Sequence, residues 1–257
     1  MKLTVIGGSA SCPNPGGACS SFLVSHEGIS VLLDCGPDSI SVLRQHTKLR
    51  DIGAVVISHL HSDHTLDLVP FRYGLRYIPG GRGPQIPLWL PPGGENFLER
   101  LGQLFALGAE AEQPFFSTEF VVAEFDPDAK IDVGPFSIEF MPTHHFIDCW
   151  AMRLEAGGRR LVYLADSGFV QPLVEFAQGA DVVICEATLP SEATGMPENS
   201  GHLTAAQAGE IAQRAGAGHL LLTHLWDEND VQLVAKEARS TFMGAITIAE
   251  SGVQLVV

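Results

Sequence analysis

The run Ser58-His59-Leu60-His61-Ser62-Asp63-His64 places three imidazoles and a carboxylate within six positions, directly after the apolar stretch Ala54-Val55-Val56-Ile57. Side chains at the end of a buried strand have little freedom, so donors at this density converge on a metal, and their number suggests two. Imidazole and carboxylate suit zinc, with manganese and iron as alternatives. A zinc ion with an open position brings bound water to a pKa of roughly 7, which makes hydroxide available at neutral pH. The chemistry to expect is hydrolysis.

Two metals need more donors than one loop supplies. Further His or Asp residues follow three other apolar runs: His144-His145 after Phe136-Ser137-Ile138-Glu139-Phe140-Met141, Asp166 after Leu161-Val162-Tyr163-Leu164-Ala165, and His224 after His219-Leu220-Leu221-Leu222-Thr223. Each apolar stretch delivers a ligand type at its carboxyl end, where open α/β sheets build their sites. A structural zinc site is closed by four protein ligands, so the surplus of donors speaks against a metal-stabilised scaffold.

The elements that must hold these residues follow from the hydrophobic pattern. Short β-branched runs predict strands near 2–6, 20–25, 30–34, 54–58, 119–125, 136–141, 149–154, 160–165, 181–185, 219–223, 245–249 and 253–257. Helical patterns fall at about 38–48, 94–108, 169–178, 204–215 and 229–240. One short strand is expected between the turns Ile78-Pro79-Gly80-Gly81-Arg82-Gly83-Pro84 and Pro91-Pro92-Gly93-Gly94, with Arg82 as a solvent-facing turn residue. Thr204 and Gln207 form a capping box that opens a helix, which would hold the preceding His202 near a fixed helix start. The order suits two facing mixed sheets with helices outside.

With 257 residues, 46% of them hydrophobic, the chain can bury a sizeable core as one domain over 1–257. The opening Met1-Lys2-Leu3-Thr4-Val5-Ile6 reads as a strand, too short and weakly basic for an export signal, and no transmembrane run is visible. Five cysteines at scattered spacings fit a reducing cytoplasm; Cys12 and Cys19 are near enough to meet but read as buried or reactive thiols. Fifteen Lys and Arg against thirty Asp and Glu, a formal charge of −15, oppose a sequence-independent grip on a long phosphate backbone. Arg44, Lys48 and Arg50 read as a solvated helix face.

Taken in order, Asp34 in Val31-Leu32-Leu33-Asp34-Cys35-Gly36, the HxHxDH run, His145, Asp166 and His224 resemble the five motifs of the metallo-β-lactamase superfamily over nearly the whole chain. The resemblance implies an α+β fold, an αβ/βα four-layer sandwich. It implies that His59, His61 and His145 hold one metal, that Asp63, His64 and His224 hold the other, that Asp166 bridges them, and that Asp34 orients a ligand without being one. His144 and His145 compete for one position. The spacing of His145 to Trp150-Ala151-Met152-Arg153 is like that of the equivalent histidine in the ribonuclease Z-like branch, which leaves His144 as a wall residue.

That branch is also resembled by Gly7-Gly8-Ser9-Ala10-Ser11-Cys12-Pro13, by Ile184-Cys185-Glu186-Ala187-Thr188 and by Ser200-Gly201-His202-Leu203-Thr204. The resemblance implies that His202 pairs with Glu186, faces the metals, and stabilises a phosphoryl oxygen or protonates the departing alkoxide. It implies in-line attack on phosphorus by a hydroxide held between two divalent ions, zinc first and Mn2+ or Fe2+ otherwise, with Asp63 taking the nucleophile's proton. Only about twenty residues separate His145 from Asp166, so the tRNA-gripping arm of ribonuclease Z is absent, and Leu225-Trp226-Asp227-Glu228 is acidic. RNA is therefore a disfavoured partner. The chain more closely resembles small cytoplasmic members that hydrolyse cyclic nucleotides, expected as homodimers. A tRNA 3′-processing endonuclease and a lactonase or thioesterase are the alternatives. Trp226 could stack on a base or lie in the core; Phe115, Phe116 and Phe120 could roof a pocket or fill a core or dimer contact.

Overall fold

The computed structural model describes residues 1–80, 83–108, 114–190 and 200–257, so Arg82 lies outside the described residues. Two seven-stranded sheets face one another. The first contains β1 (Lys2–Gly7), β2 (Ser21–His26), β3 (Ile29–Leu33), β4 (Ala54–Val56), β5 (Ile86–Leu90) and β6 (Phe120–Glu124), with the last strand of the chain, β14 (Gln254–Val256), beside β1. The second runs β7 (Ile131–Val133), β8 (Phe136–Pro142), β9 (Trp150–Ala156), β10 (Arg159–Tyr163), β11 (Val182–Glu186), β12 (His219–Thr223) and β13 (Ala245–Ile248). Both are mixed: β3 to β6 and β10 to β13 are parallel, and the remaining pairs are antiparallel.

The apolar runs are continuous rather than alternating because these strands are buried on both faces. Val31 and Leu33 of β3 point into the core between the sheets, with Val56, Phe140, Leu154, Tyr163 and Ile184. Leu32, one residue out of phase, packs outward with Val55 and Leu88 against helices α1 (Ser39–His46), α3 (Leu68–Tyr77) and α4 (Gly94–Phe105). The second sheet repeats this arrangement. Val183, Cys185 and Leu222 face α5 (Gln171–Phe176), α6 (Ala205–Ala215) and α7 (Val231–Thr241). The result is helix, sheet, sheet, helix, the expected four-layer sandwich of the metallo-β-lactamase fold.

Several of the described elements depart from the pattern reading. The short β7 escapes it because Ile131-Asp132-Val133 is too brief for a period. The four-residue α2 (Ser62–Thr65) and α3 escape because Pro70 and Gly74 break the helical signal, although Pro70 lies in the first turn, where a missing N–H costs nothing. The capping box of α6 is present in full: Thr204 Oγ1 accepts from Gln207 N and the Gln207 side chain accepts from Thr204 N. Between His145 and Asp166 the chain forms only the β9–β10 hairpin, turned through Gly157 and Gly158 at φ 57° and 73°.

The loop after β3 and the loop after β4 are pressed together. A Cβ at Gly36 would lie 1.9 Å from the carbonyl oxygen of Asp63 and 2.7 Å from Cys19 Cβ. No side chain fits there without moving the His/Asp loop. Gly36→Ala is expected to lower unfolding free energy in urea by about 3 kcal/mol, as overpacking of a tight interior does, and to impair metal retention; a variant with wild-type midpoint would show that the loops are not in fixed register.

Candidate metal centre

The elements converge at one rim. Asp34 follows β3, His59 to His64 follow β4, His145 follows β8, Asp166 follows β10, Glu186 ends β11 and His224 follows β12. His202 joins them from the loop just before α6.

Two groups of donors lie side by side. In the first, His61 Nδ1 is 3.1 Å from both His59 Nε2 and His145 Nε2, and each of the latter is 3.8 Å from Asp166 Oδ2. In the second, His224 Nε2 is 3.2 Å and His64 Nε2 3.6 Å from Asp63 Oδ2. Asp166 borders both, its Oδ1 3.6 Å from His64 Nε2 and its Oδ2 3.4 Å from His224 Nε2. All seven residues singled out as ligands are thus together, and each group has one candidate ligand atom per residue within 4.8 Å of the others.

Outer hydrogen bonds decide which way the ring nitrogens present their electrons. His64 Nδ1 faces a carboxylate oxygen, Asp34 Oδ2, at 2.7 Å, and His145 Nδ1 faces the carbonyl of Gly201 at 2.8 Å, so both must donate. Ser58 Oγ gives its proton to Asp34 Oδ2 and Thr188 Oγ1 gives its own to Glu186 Oε2. These hydroxyls can then only accept, from His59 Nδ1 at 3.0 Å and from His224 Nδ1 at 2.7 Å. Four rings therefore turn bare Nε2 lone pairs toward one another and toward two carboxylates. At most one proton, on His61 Nδ1, can be shared within the first group. His64 Nε2 is buried with no hydrogen-bond partner.

Such an arrangement needs positive charge. Among the described residues, Asp34, Asp63, Asp166 and Glu186 each form ion pairs with histidine. Buried carboxylates in that number demand cationic partners. Burial holds His59, His61 and His145 below the ordinary imidazole range, which suits neutral ligands. At His64, burial also acts downward, but Asp166 and Asp34 outweigh it and push the group well above its usual value. A proton and a metal ion would compete for the same Nε2. The donor set fits a divalent metal with imidazole and carboxylate ligands.

Asp34 is fully buried and its carboxylate is saturated: it accepts from Ser58 N and Oγ, His64 Nδ1 and Tyr163 Oη at 2.7 to 2.8 Å. It orients His64. Burial and the adjacent Asp34 keep the Tyr163 phenol well above its ordinary pKa, so it remains a donor. Asp63 is anchored by Ser11 N–H at 2.9 Å; burial opposes its ionisation, but His224 and His64 prevail and hold it well below the carboxylate range.

Glu186 is fully buried and receives His202 Nδ1 at 2.9 and 3.1 Å, Ser167 N at 2.8 Å and Leu203 N at 3.2 Å. Burial alone would lower His202, yet the bond to Glu186 and its charge raise it. The His202 ring lies 5.5 Å from that of His224, nearly parallel, and offers an atom to the group formed by Asp166 and His224. His144 is a wall residue: its backbone bonds Ser167 and Gly168, and its ring abuts Gly168.

Some candidates lie elsewhere. Phe115, Phe116 and Phe120 fill the core beneath α3 and α4. Trp226 is neither in the core nor beside the donors; it is 37% exposed in a cleft with Gly8, Asn14 and Val231. Cys12 and Cys19 are free thiols, and burial lifts Cys19 to about 12. Sequence reasoning missed Ser58, Tyr163, Thr188 and Ser11, which orient the donors. Tyr163 was within reach, because it shares the inward phase of Leu161 on β10. No helix among the described residues is long and apolar enough to cross a membrane.

Comparison with known proteins agrees with this geometry. Residues 30–225 match the model of the beta-lactamase superfamily domain. The chain is 33% identical over 255 residues to the probable metallo-hydrolase YhfI of Bacillus subtilis, covering 98% of each. The crystal structure of YhfI superposes with a TM-score of 0.86 over 99% of this chain and 98% of that one, at 31% identity. A ribonuclease Z of Ignicoccus hospitalis is 23% identical over 300 aligned positions, covering 94% of this chain and 93% of its own; the alignment is longer than this chain, so that relative carries segments absent here. Human tRNase Z, short form, shares the fold with a TM-score of 0.76 at 23% identity, over 100% of this chain and 99% of its own. The chain belongs to the beta-lactamase superfamily.

Proposed function

We propose that the protein is a dinuclear metal-dependent phosphodiesterase acting on a small phosphodiester, with cyclic nucleotides as the preferred class. The observation that carries this reading is the Glu186–His202 pair beside Asp166 and His224. A carbon ester needs only the metal-bound donors. A phosphodiester gains from a cationic imidazole aimed at a phosphoryl or leaving oxygen.

His59, His61 and His145 would hold one ion, Asp63, His64 and His224 the other, with Asp166 between; zinc fits these ligands first. When bound, the ions supply Lewis acidity and water activated at neutral pH. The chain's own residues do the rest. Asp63, ionised across the neutral range, accepts the proton of the attacking water. His202, kept protonated by Glu186, stabilises charge on phosphorus-bound oxygen and donates to the departing alkoxide. Asp34, fixed by Ser58 N and Oγ and by Tyr163 Oη, holds His64 in one tautomer.

A small substrate accords with the short β9–β10 hairpin between His145 and Asp166 and with the formal charge of −15, since a cyclic phosphodiester needs no long electropositive groove. The direct test is turnover of cyclic AMP, a 2′,3′-cyclic nucleotide, precursor tRNA and a lactone side by side, with Asp63→Ala as blank. Preference for a cyclic nucleotide is expected, and preference for the lactone would refute the reading.

His202→Ala should reduce kcat for the phosphodiester by about 10² to 10⁴, the usual worth of a positioned acid, with metal content unchanged by elemental analysis; undiminished turnover would remove His202 from the mechanism. Because Glu186 raises the pKa of His202, the wild-type rate should persist above the ordinary imidazole range and fall only as pH rises further, through the raised value. That alkaline limb should vanish in His202→Ala. Asp34→Ala should weaken metal binding about 10- to 100-fold in chelator competition, as loss of an orienting partner does. Unchanged affinity would mean that Asp34 does not govern His64.

A further inference from the structure

We propose that Phe146 determines specificity, serving as an aromatic platform at the mouth of the metal centre on which the base of a nucleotide substrate stacks. This deepens the phosphodiesterase reading and rests on it. Phe146 directly follows His145, and its ring centroid lies 5.2 Å from that of His145 and 5.7 Å from that of His202. Even so, the residue is 66% exposed. Isolated exposed apolar side chains are ordinary on protein surfaces. Phe146 differs in lying against two rings of the site, His145 and His202, which themselves touch.

It is also held in place. A Cβ on Gly201 would lie 3.0 and 3.1 Å from Phe146 Cε2 and Cδ2, so the ring edge rests on the backbone of the Ser200-Gly201-His202 loop. That same loop anchors His145 through the Gly201 carbonyl, and His202 is anchored by Glu186. A rigid aromatic face costs little entropy when a ligand covers it. The next residue, Ile147, is 39% exposed and extends the apolar surface.

Position supplies the functional argument. With phosphorus over Asp63 and Asp166 and the departing oxygen at His202, Phe146 is the exposed aromatic ring next to His202, within reach of the group that oxygen carries. The donors around phosphorus are imidazoles and carboxylates, which serve a phosphoryl group; Phe146 offers the flat apolar face that a base requires. Stacking on an aromatic side chain is tolerant of base identity, so discrimination is expected between phosphodiesters with and without a base rather than among bases.

The test compares metal-loaded wild type, Phe146→Ala and Phe146→Trp on cyclic AMP and on the cyclic phosphodiester of propane-1,3-diol, which has the reacting group but no base. Phe146→Ala should raise KM for cyclic AMP about tenfold, a typical loss for one stacking contact, with kcat within about twofold and the base-free substrate unaffected; Phe146→Trp should restore KM. An equal change on both substrates, or none, would overturn the proposal while leaving the phosphodiesterase reading intact. Calorimetry gives a readout free of turnover: wild type should bind adenosine monophosphate more tightly than inorganic phosphate, and Phe146→Ala should lose about tenfold for the former alone. If neither cyclic substrate is cleaved, the phosphodiesterase reading fails. Equal wild-type affinity for the two calorimetric ligands would overturn the platform in its own right.

Discussion

Hydrogen bonds pointing away from the centre create the need for a cation inside it. Each of His59, His64, His145 and His224 has its Nδ1 proton committed to an acceptor behind the ring, and the electrons on the opposite nitrogen have nowhere favourable to go. Two carboxylates, Asp63 and Asp166, face the same space. In a medium of low polarity such a gathering of negative potential is costly unless positive charge enters. The high proton affinity of His64 expresses the same demand, met by a proton rather than a metal.

The fold sustains that arrangement at some expense to the backbone. Asp34, Ala165 and His224 adopt left-handed conformations, at φ 59°, 51° and 58°, each immediately beyond or beside the end of a strand. For residues with a Cβ this costs roughly 1–2 kcal/mol apiece. The distortion turns the chain sharply as it leaves the sheet, so that the side chain is delivered inward to the rim and not along the strand. Two sheets buried on both faces and locked by three layers of apolar packing provide the offset. Gly36 shows how close the tolerance is, since two of the site's loops meet there backbone to backbone.

Much of this was legible in the residues. The ligand set could be found because histidines and aspartates are conspicuous at the ends of apolar runs, and the paired sheets because those runs recur with helical patterns between them. The partnership of Glu186 with His202 came from resemblance, not from spacing, and the structure brings the two within 2.9 Å. What escaped is informative. Ser58, Thr188, Ser11 and the Gly201 carbonyl act through common side-chain or backbone groups that carry no signature, and α3 was hidden by Pro70 and Gly74. Trp226 illustrates the opposite failure: adjacency to His224 in sequence does not bring its ring to the centre, because the chain turns at His224 and sends the next residues into a separate cleft.

These lone pairs share a focus built for metal. Anomalous diffraction at the zinc edge from crystals grown with zinc tests it most directly. Two peaks are expected, one among His59, His61 and His145 and one among Asp63, His64 and His224, with Asp166 reaching both. Featureless density there, or rings rotated so that their Nε2 and Nδ1 atoms no longer face a common point, would contradict it.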